Sequence, residues 1–287
     1  MSGRNNRLGK SLENADTAKK PEGRDRVRHP AHDTVVTVPC KLRHKGNQTK
    51  DIMPLLQHRN QFCGGLQVSS DQCIKAVLFD FDGTLAVPVL DFALMRRRAL
   101  DAFSVYAPVP AGTGRPLMEE LDAVCASLEP SQAARARQAA MEAIREVEVE
   151  AAGRSSLFPF VLPMLKAMRA QGLKAAVVTR NCPEAVFRVF PDLSAHVGCV
   201  LTRDDVRHVK PHPEHIGKAL SLIDCAPGES LMVGDHPMDI EAGKRAGALT
   251  AGVSTGETPA ARLAEAHPDY LAHDAGALMR HLGLREM

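Results

Sequence analysis

The sequence predicts an α/β protein: a doubly wound, Rossmann-like parallel sheet with a small helical domain inserted after its first strand. Three observations predict it. Short apolar runs recur at 76–79, 175–178, 197–201, 231–233 and 249–253. Each ends in polar residues, as buried parallel strands do where they open into loops. Helical stretches lie between the later runs, at about 160–171, 183–190, 213–223 and 238–246, and strands alternating with helices imply crossovers in a parallel sheet. About ninety residues without strand character separate the first run from the second.

The amino-terminal part reads differently from the rest. Residues 1–60 hold 13 Lys and Arg against 6 Asp and Glu, whereas 61–287 hold 23 against 28, so the overall charge of +2 conceals a basic tail on a mildly acidic body. Residues 1–30 contain almost no large apolar side chains and cannot bury enough surface to offset the entropy of ordering. Residues 1–60 are therefore expected to form a basic, disordered extension. The β-branched stretch 34–38 has strand character but stops at Pro39, and Gly64-Gly65 marks a turn. Residues 31–72 read as a loose arm packed on the body or as an upstream extension.

The core is expected over 74–88 and 154–287, and the helical insertion over 89–153. Within the insertion, a first helix at 89–107 follows Pro88 with Asp91 as its possible cap, and a second covers 115–126. A third, 131–152, follows Pro130, stops at Gly153 and carries an apolar stripe at Ala136, Ala140, Ile144, Val147 and Ala151. The insertion sits directly after the first catalytic-looking loop, where it could close over a site as a lid.

Composition excludes several classes. With 44% hydrophobic and 24% charged residues the chain is neither collagen-like nor wholly disordered. Its apolar runs fall far short of the ~20 residues needed to cross a bilayer, and the first thirty residues have no secretory pattern. A cytoplasmic protein with reduced thiols is expected, as a monomer or homodimer without membrane contact. The acidic body argues against nucleic-acid binding. His29, His32, Cys40, His44, His58, Cys63 and Cys73 show no zinc spacing. Gly243-Lys244 is not a phosphate loop, because Met238 stands where that pattern needs glycine.

In a doubly wound sheet ligands bind at the carboxyl ends of the strands, where this sequence places Asp80, Asp82, Thr179, Asp204, Asp205 and Asp235. In Asp80-Phe81-Asp82-Gly83-Thr84, two carboxylates two residues apart in one loop can converge on one point. One can attack phosphorus to form an aspartyl-phosphate. The other can protonate the leaving oxygen and later activate water, its pKa raised by neighbouring negative charge. Anions gathered around a phosphate need a divalent cation, and Mg²⁺ suits carboxylate and phosphate oxygens.

These residues resemble the first motif of the haloacid dehalogenase superfamily, and the resemblance continues in order along about 74–283. Thr179 resembles the second motif, which binds phosphate, and Arg180 and Asn181 beside it are expected to add to phosphate binding through the backbone. Lys210, in Val209-Lys210-Pro211-His212-Pro213, resembles the third motif, which neutralises phosphate and nucleophile. Gly234-Asp235 with Asp239 resembles the fourth, which holds Mg²⁺; Asp239 reads either as a ligand or as a helix cap. The end of the chain, from Pro268-Asp269-Tyr270-Leu271 through a final helix, is similar to phosphoglycolate-phosphatase-like members. The resemblance implies Asp80 as nucleophile, Asp82 as general acid and base, and Asp80, Asp82 (through its carbonyl) and Asp235 as metal ligands. It implies a Mg²⁺-dependent phosphatase of a small phosphorylated metabolite. A phosphomutase of the β-phosphoglucomutase type, or a non-catalytic binding protein on the same scaffold, remains open. Ala86-Val87-Pro88 and His236-Pro237 depart from the usual motif residues. Arg96, Arg97 and Arg98 fan out around one helix, where one could reach a substrate anion. Asn181 could cap the helix near Pro183, Asp204 and Asp205 read as loop residues or a metal shell, and Cys182 reads as a buried thiol.

Overall fold

The computed structural model describes residues 35–37, 65–69, 72–109 and 114–285. It begins with β1 (Val36–Thr37), the hairpin strands β2 (Leu66–Ser69) and β3 (Gln72–Ile74), and β4 (Ala76–Phe79). Three helices follow: α1 (Phe92–Ser104), α2 (Leu117–Cys125) and α3 (Pro130–Ala152). The chain returns through α4 (Val161–Ala170), β5 (Lys174–Val178), α5 (Pro183–Val189), β6 (Cys199–Leu201) and α6 (Pro213–Leu222). It ends with β7 (Ser230–Gly234), α7 (Pro237–Ala246), β8 (Leu249–Val253), α8 (Ala260–Glu265), β9 (Tyr270–Ala272) and α9 (Ala275–His281).

Among the described residues the main sheet has the order β1-β9-β8-β7-β4-β5-β6. All neighbours are parallel except the edge pair, where Val36 and Thr37 lie antiparallel to Leu271 and Tyr270. The chain builds outward from β4 through β5 and β6, then crosses to the other side of β4 for β7, β8 and β9. That reversal opens the crevice in which such sheets bind ligands.

The apolar runs are continuous because both faces of the sheet are covered. Alternate residues serve opposite faces. Val77 and Phe79 of β4 join Val177 and Val233 in a layer closed by Met164, Leu165 and Met168 of α4 and Leu278 of α9. Ala76 and Leu78 join Ala176, Val178 and Met232 against Ile216, Ala219 and Leu220 of α6 and Ala242 of α7.

The insertion has its own small core, where Ala99 and Phe103 of α1 and Leu121 of α2 meet Ala136, Ala140 and Ile144 of α3. The whole stripe expected on the third helix is buried, Val147 and Ala151 included. Asp91 caps α1, its Oδ1 accepting the Leu94 N–H at 2.8 Å. The two connectors run side by side: Val87 N donates to Ser156 O at 2.8 Å, and Phe158 N to Leu85 O at 3.0 Å. Ala86, one of the departures from the family pattern, is thus a strand-like residue bridging Asp82 and Leu157.

Several short elements differ from the sequence reading. The core begins before Ile74, because Leu66 of β2 is buried together with Ile74 in the antiparallel hairpin β2–β3. Val36–Thr37, inside the stretch expected to lack order, extends the sheet edge, and Val35 packs on the core. The remainder of that stretch, with His29, His32, Cys40, His44, His58 and Cys63, lies outside the described residues. Strands of two to four residues span too few pleats to print an alternation in the sequence. Among the described residues, no helix is long and apolar enough to cross a membrane.

Candidate active site

Four strand ends build the site. Asp80 follows β4, and its N–H donates to Val233 O of β7 at 2.9 Å, which ties the first loop to the neighbouring strand. Lys210, in the segment between β6 and α6, is only 1% exposed. Its Nζ lies 2.7 Å from Asp80 Oδ1 and 2.7 Å from Asp239 Oδ1. Asp235 follows β7, and Asp80, Asp235 and Asp239 each offer a carboxylate oxygen within 4.8 Å of the others. Glycines make the room. A Cβ on Gly83, whose φ is +77°, would fall 2.6 Å from Asp235 Oδ2, and one on Gly256 would fall 1.7 Å from it. Any side chain at either position displaces the carboxylate.

Asp82 sits two residues beyond Asp80, held by Asn181 Nδ2 donating to its Oδ2 at 2.8 Å. Burial, and then the charge of Asp80, push its carboxyl up to about 7. The sequence pointed to neighbouring charge as the cause, but loss of solvent is the larger one, because burial disfavours the anion. Asn181 is fully committed. Its Oδ1 accepts the Cys182 N–H at 2.8 Å, and its own N–H donates to Thr179 Oγ1 at 3.1 Å. The buried Thr179 hydroxyl keeps its proton available for a phosphate oxygen. Arg180 turns its guanidinium toward Lys210 O at 2.8 Å and toward Glu119 of α2 at 3.2 Å.

Of the roles left open for Asp239, the helix cap is seen directly, and its position keeps it beside the other acids. It lies with Asp80 and Asp235, and its Oδ2 accepts the His236 N–H at 3.0 Å in the capping box of α7. Pro237 occupies the first turn of that helix, and His236 Nδ1 accepts the Met238 N–H at 3.1 Å, so His236-Pro237 is a helix start. Other candidates do not converge. Asp205 closes a capping box with Thr202, and Asp204 is exposed. Arg96 pairs with Glu120 and Arg98 with Glu150, inside the insertion. Cys182 is buried, and burial pushes its thiol up to about 12.

One group beside the site escaped the sequence reading. Glu148 of α3 and Arg203, just after β6, form an ion pair with 5% and 4% of their side chains exposed. Arg203 Nη1 lies 2.6 Å from Glu148 Oε2 and also donates to Arg180 O at 3.3 Å. The pair joins the insertion to the loop carrying Thr179 and Asn181. Its sequence signal was an acid lodged in the apolar stripe of α3. Removing one partner of a buried pair typically costs about 3–5 kcal/mol. Glu148→Ala should therefore lower the free energy of urea unfolding by that order, and an unchanged value would show that water reaches Arg203.

The electrostatics of the site fit a cation. Burial, and then neighbouring carboxylates, push Asp235 up to about 9. Burial likewise raises Asp80, and Lys210 only partly opposes it. Burial lowers Lys210, but Asp239 and Asp80 outweigh it and hold the ammonium charged. One ammonium among these acids leaves negative charge in excess. All-oxygen donors of this kind suit a hard divalent ion such as Mg²⁺.

Comparison with known proteins identifies the family. The model of the haloacid dehalogenase-like hydrolase family matches residues 77–253, more than half of the chain. Pyrophosphatase PpaX of Anoxybacillus flavithermus is 31% identical over 220 residues, covering 74% of this chain and 98% of that protein. The protein of the same name from Bacillus velezensis is 30% identical over 225 residues, covering 75% and 100%. A hydrolase from Pseudomonas syringae shares the fold with a TM-score of 0.56 at 22% identity, covering 72% of this chain and 97% of that one. A "predicted phosphoglycolate phosphatase" from Haemophilus somnus gives 0.52 at 22%, with coverage of 72% and 97%. The chain belongs to the haloacid dehalogenase-like hydrolases.

Proposed function

We propose that this hydrolase is a Mg²⁺-dependent phosphatase of a small phosphorylated metabolite, working through an aspartyl-phosphate on Asp80. The supporting observation is the placing of two acids of one loop against different partners. Asp80 lies against the Lys210 ammonium at 2.7 Å, whereas Asp82 sits near 7 and is pinned by Asn181. The ammonium against Asp80 favours its anion as the nucleophile, and a proton held to near neutral pH suits Asp82 as the acid.

Asp80 attacks phosphorus as the bond to the leaving oxygen breaks, and Asp82 gives that oxygen its proton. Asp82, now ionised, takes a proton from water, which attacks the acyl phosphate and releases phosphate and free Asp80. Lys210 and the Thr179 hydroxyl hold the phosphoryl oxygens while charge moves, so positioning and electrostatics carry the reaction. Asp80, Asp235, the Asp82 carbonyl and Asp239, directly or through water, would hold Mg²⁺, which neutralises charge between carboxylates and phosphoryl oxygens when bound. Residues 89–153 act as a cap over the sheet-bearing core, excluding bulk water.

Metal removal tests this reading twice. EDTA should abolish hydrolysis of p-nitrophenyl phosphate and Mg²⁺ restore it, with Ca²⁺ a poor substitute because its shell is larger and looser. Full activity in metal-free buffer contradicts the mechanism. The second readout is stability. In the metal-free fold Asp235 keeps a proton to about pH 9 that the unfolded chain gives up near 3.8. From pH 7 to 9 the folded state therefore binds more protons than the unfolded state, and stability falls as pH rises. Buried His215, pushed down to about 3 from 6.5, acts in the opposite direction only below that window. Mg²⁺ should raise the melting temperature most at pH 9, where it replaces the missing protons. Equal gains at pH 7 and pH 9 would remove these acids from the metal site.

A further inference from the structure

The geometry points to Glu119 of the insertion as an internal stand-in for a second anionic group on the substrate, occupying the guanidinium of Arg180 that would otherwise receive it. This inference rests on the phosphatase reading and names its substrate class: phosphate compounds with a second anion close to the transferred phosphorus.

The guanidinium is built into the site from the core side. Arg180 directly follows Thr179, its Nη1 donates to Lys210 O at 2.8 Å and to Met238 Sδ at 2.9 Å, and the same Lys210 reaches Asp80 through Nζ. The backbone of Arg180 is held as well, since its carbonyl accepts from the buried Arg203. At the outward edge of the fork Nη2 donates to Glu119 Oε2 at 3.2 Å, and Nη1 lies 3.2 Å from Oε1 as an ion-pair contact. A guanidinium edge receives a carboxylate or a phosphate through such charged contacts. What Glu119 occupies is therefore a contact that either group can make.

The two partners differ in how firmly they are kept. The Arg180 side chain is 19% exposed and Glu119 is 37% exposed, on the first turn of α2. An ion pair this open to water is weak, so an incoming anion can displace the glutamate while the arginine stays in place. A substrate without a second anion has nothing to exchange for Glu119 and leaves the pair intact. Glu119 then acts as a specificity-determining residue that competes with one class of substrate.

The test compares three probes with Mg²⁺ present: inorganic pyrophosphate, phosphoglycolate and p-nitrophenyl phosphate. The first two carry a second phosphoryl or carboxylate group, and the third carries neither. Glu119→Gln keeps the shape of the side chain and removes its charge. It should lower KM about two- to five-fold, the worth of a partly exposed pair, for pyrophosphate or phosphoglycolate. KM for p-nitrophenyl phosphate and all kcat values should stay near wild type, the pattern of a change in ground-state binding. Whichever doubly anionic probe responds identifies the second group. Arg180→Gln should raise KM for that same probe by a larger factor than for p-nitrophenyl phosphate. Equal KM shifts for all three probes in Glu119→Gln, or a general fall in kcat, would make the pair a strut between insertion and core and overturn the inference alone. No hydrolysis of any probe by the wild-type protein would overturn the phosphatase reading and this inference with it.

Discussion

Asp80→Asn should have no measurable turnover with any phosphate ester, while folding as well as the wild-type protein. The two halves of this expectation have one cause. An amide oxygen is a poor nucleophile and cannot form the acyl phosphate, so the covalent route closes at its first step. Burial already holds the Asp80 carboxyl above its ordinary range, which means that the folded protein bears a cost for ionising it. The neutral isostere removes that cost. Lys210 keeps Asp239 at 2.7 Å, so its buried ammonium is not stranded. Metal-free Asp80→Asn should therefore melt at or above the wild-type temperature at pH 8. A site that gains stability as it loses activity was shaped for chemistry. Residual turnover above background, surviving repurification, would assign the nucleophile elsewhere.

How much of this was legible in sequence depended on the range of the interaction. The strands at β4, β5, β7 and β8 were legible because each is buried on both faces and so prints an uninterrupted apolar run. Asp80 and Asp82 were legible because their convergence is local, set by one turn at Gly83. Hairpin β2–β3 and strand β9 left little trace, since three or four residues with only part of their side chains buried need no distinctive pattern. Helix α8, six residues with only Leu263 buried, has no stripe to read. Glu119, Glu148 and Arg203 were not identified for a different reason. Their partners lie 61 residues away for Glu119–Arg180 and 55 for Glu148–Arg203. Such pairs are made by the docking of the insertion on the core, which no sequence period reports. Asn181 was singled out by its neighbourhood, but its role of holding Asp82 comes from a contact spanning 99 residues.

Asp82→Asn should fail in a different way from Asp80→Asn, and the difference separates two residues that share one loop. The substitution leaves the nucleophile, the Lys210 contact and the backbone carbonyl of residue 82 in place. An amide oxygen can still accept from Asn181 Nδ2, which now lies 2.8 Å from the carboxylate. What disappears is a proton donor tuned by burial to about 7. General acid–base catalysis of this kind is typically worth about 10²–10⁴-fold, so kcat should fall by that order with an alkyl phosphate. The first step should suffer less with p-nitrophenyl phosphate, whose leaving group needs little protonation. Hydrolysis of the acyl phosphate should stay slow with both, because no base remains to activate water. The covalent intermediate should then accumulate. Rapid quenching with ³²P-labelled substrate should recover label on the Asp82→Asn protein, and none on Asp80→Asn. The wild-type rate with alkyl phosphates should also decline above about pH 7, because an ionised Asp82 cannot donate, and a cation beside Asp80 draws that limb lower. The limb should be absent from Asp82→Asn. Equal losses with aryl and alkyl esters, an unaltered alkaline limb and no trapped phosphate would together show that Asp82 transfers no proton and only shapes the turn around Asp80.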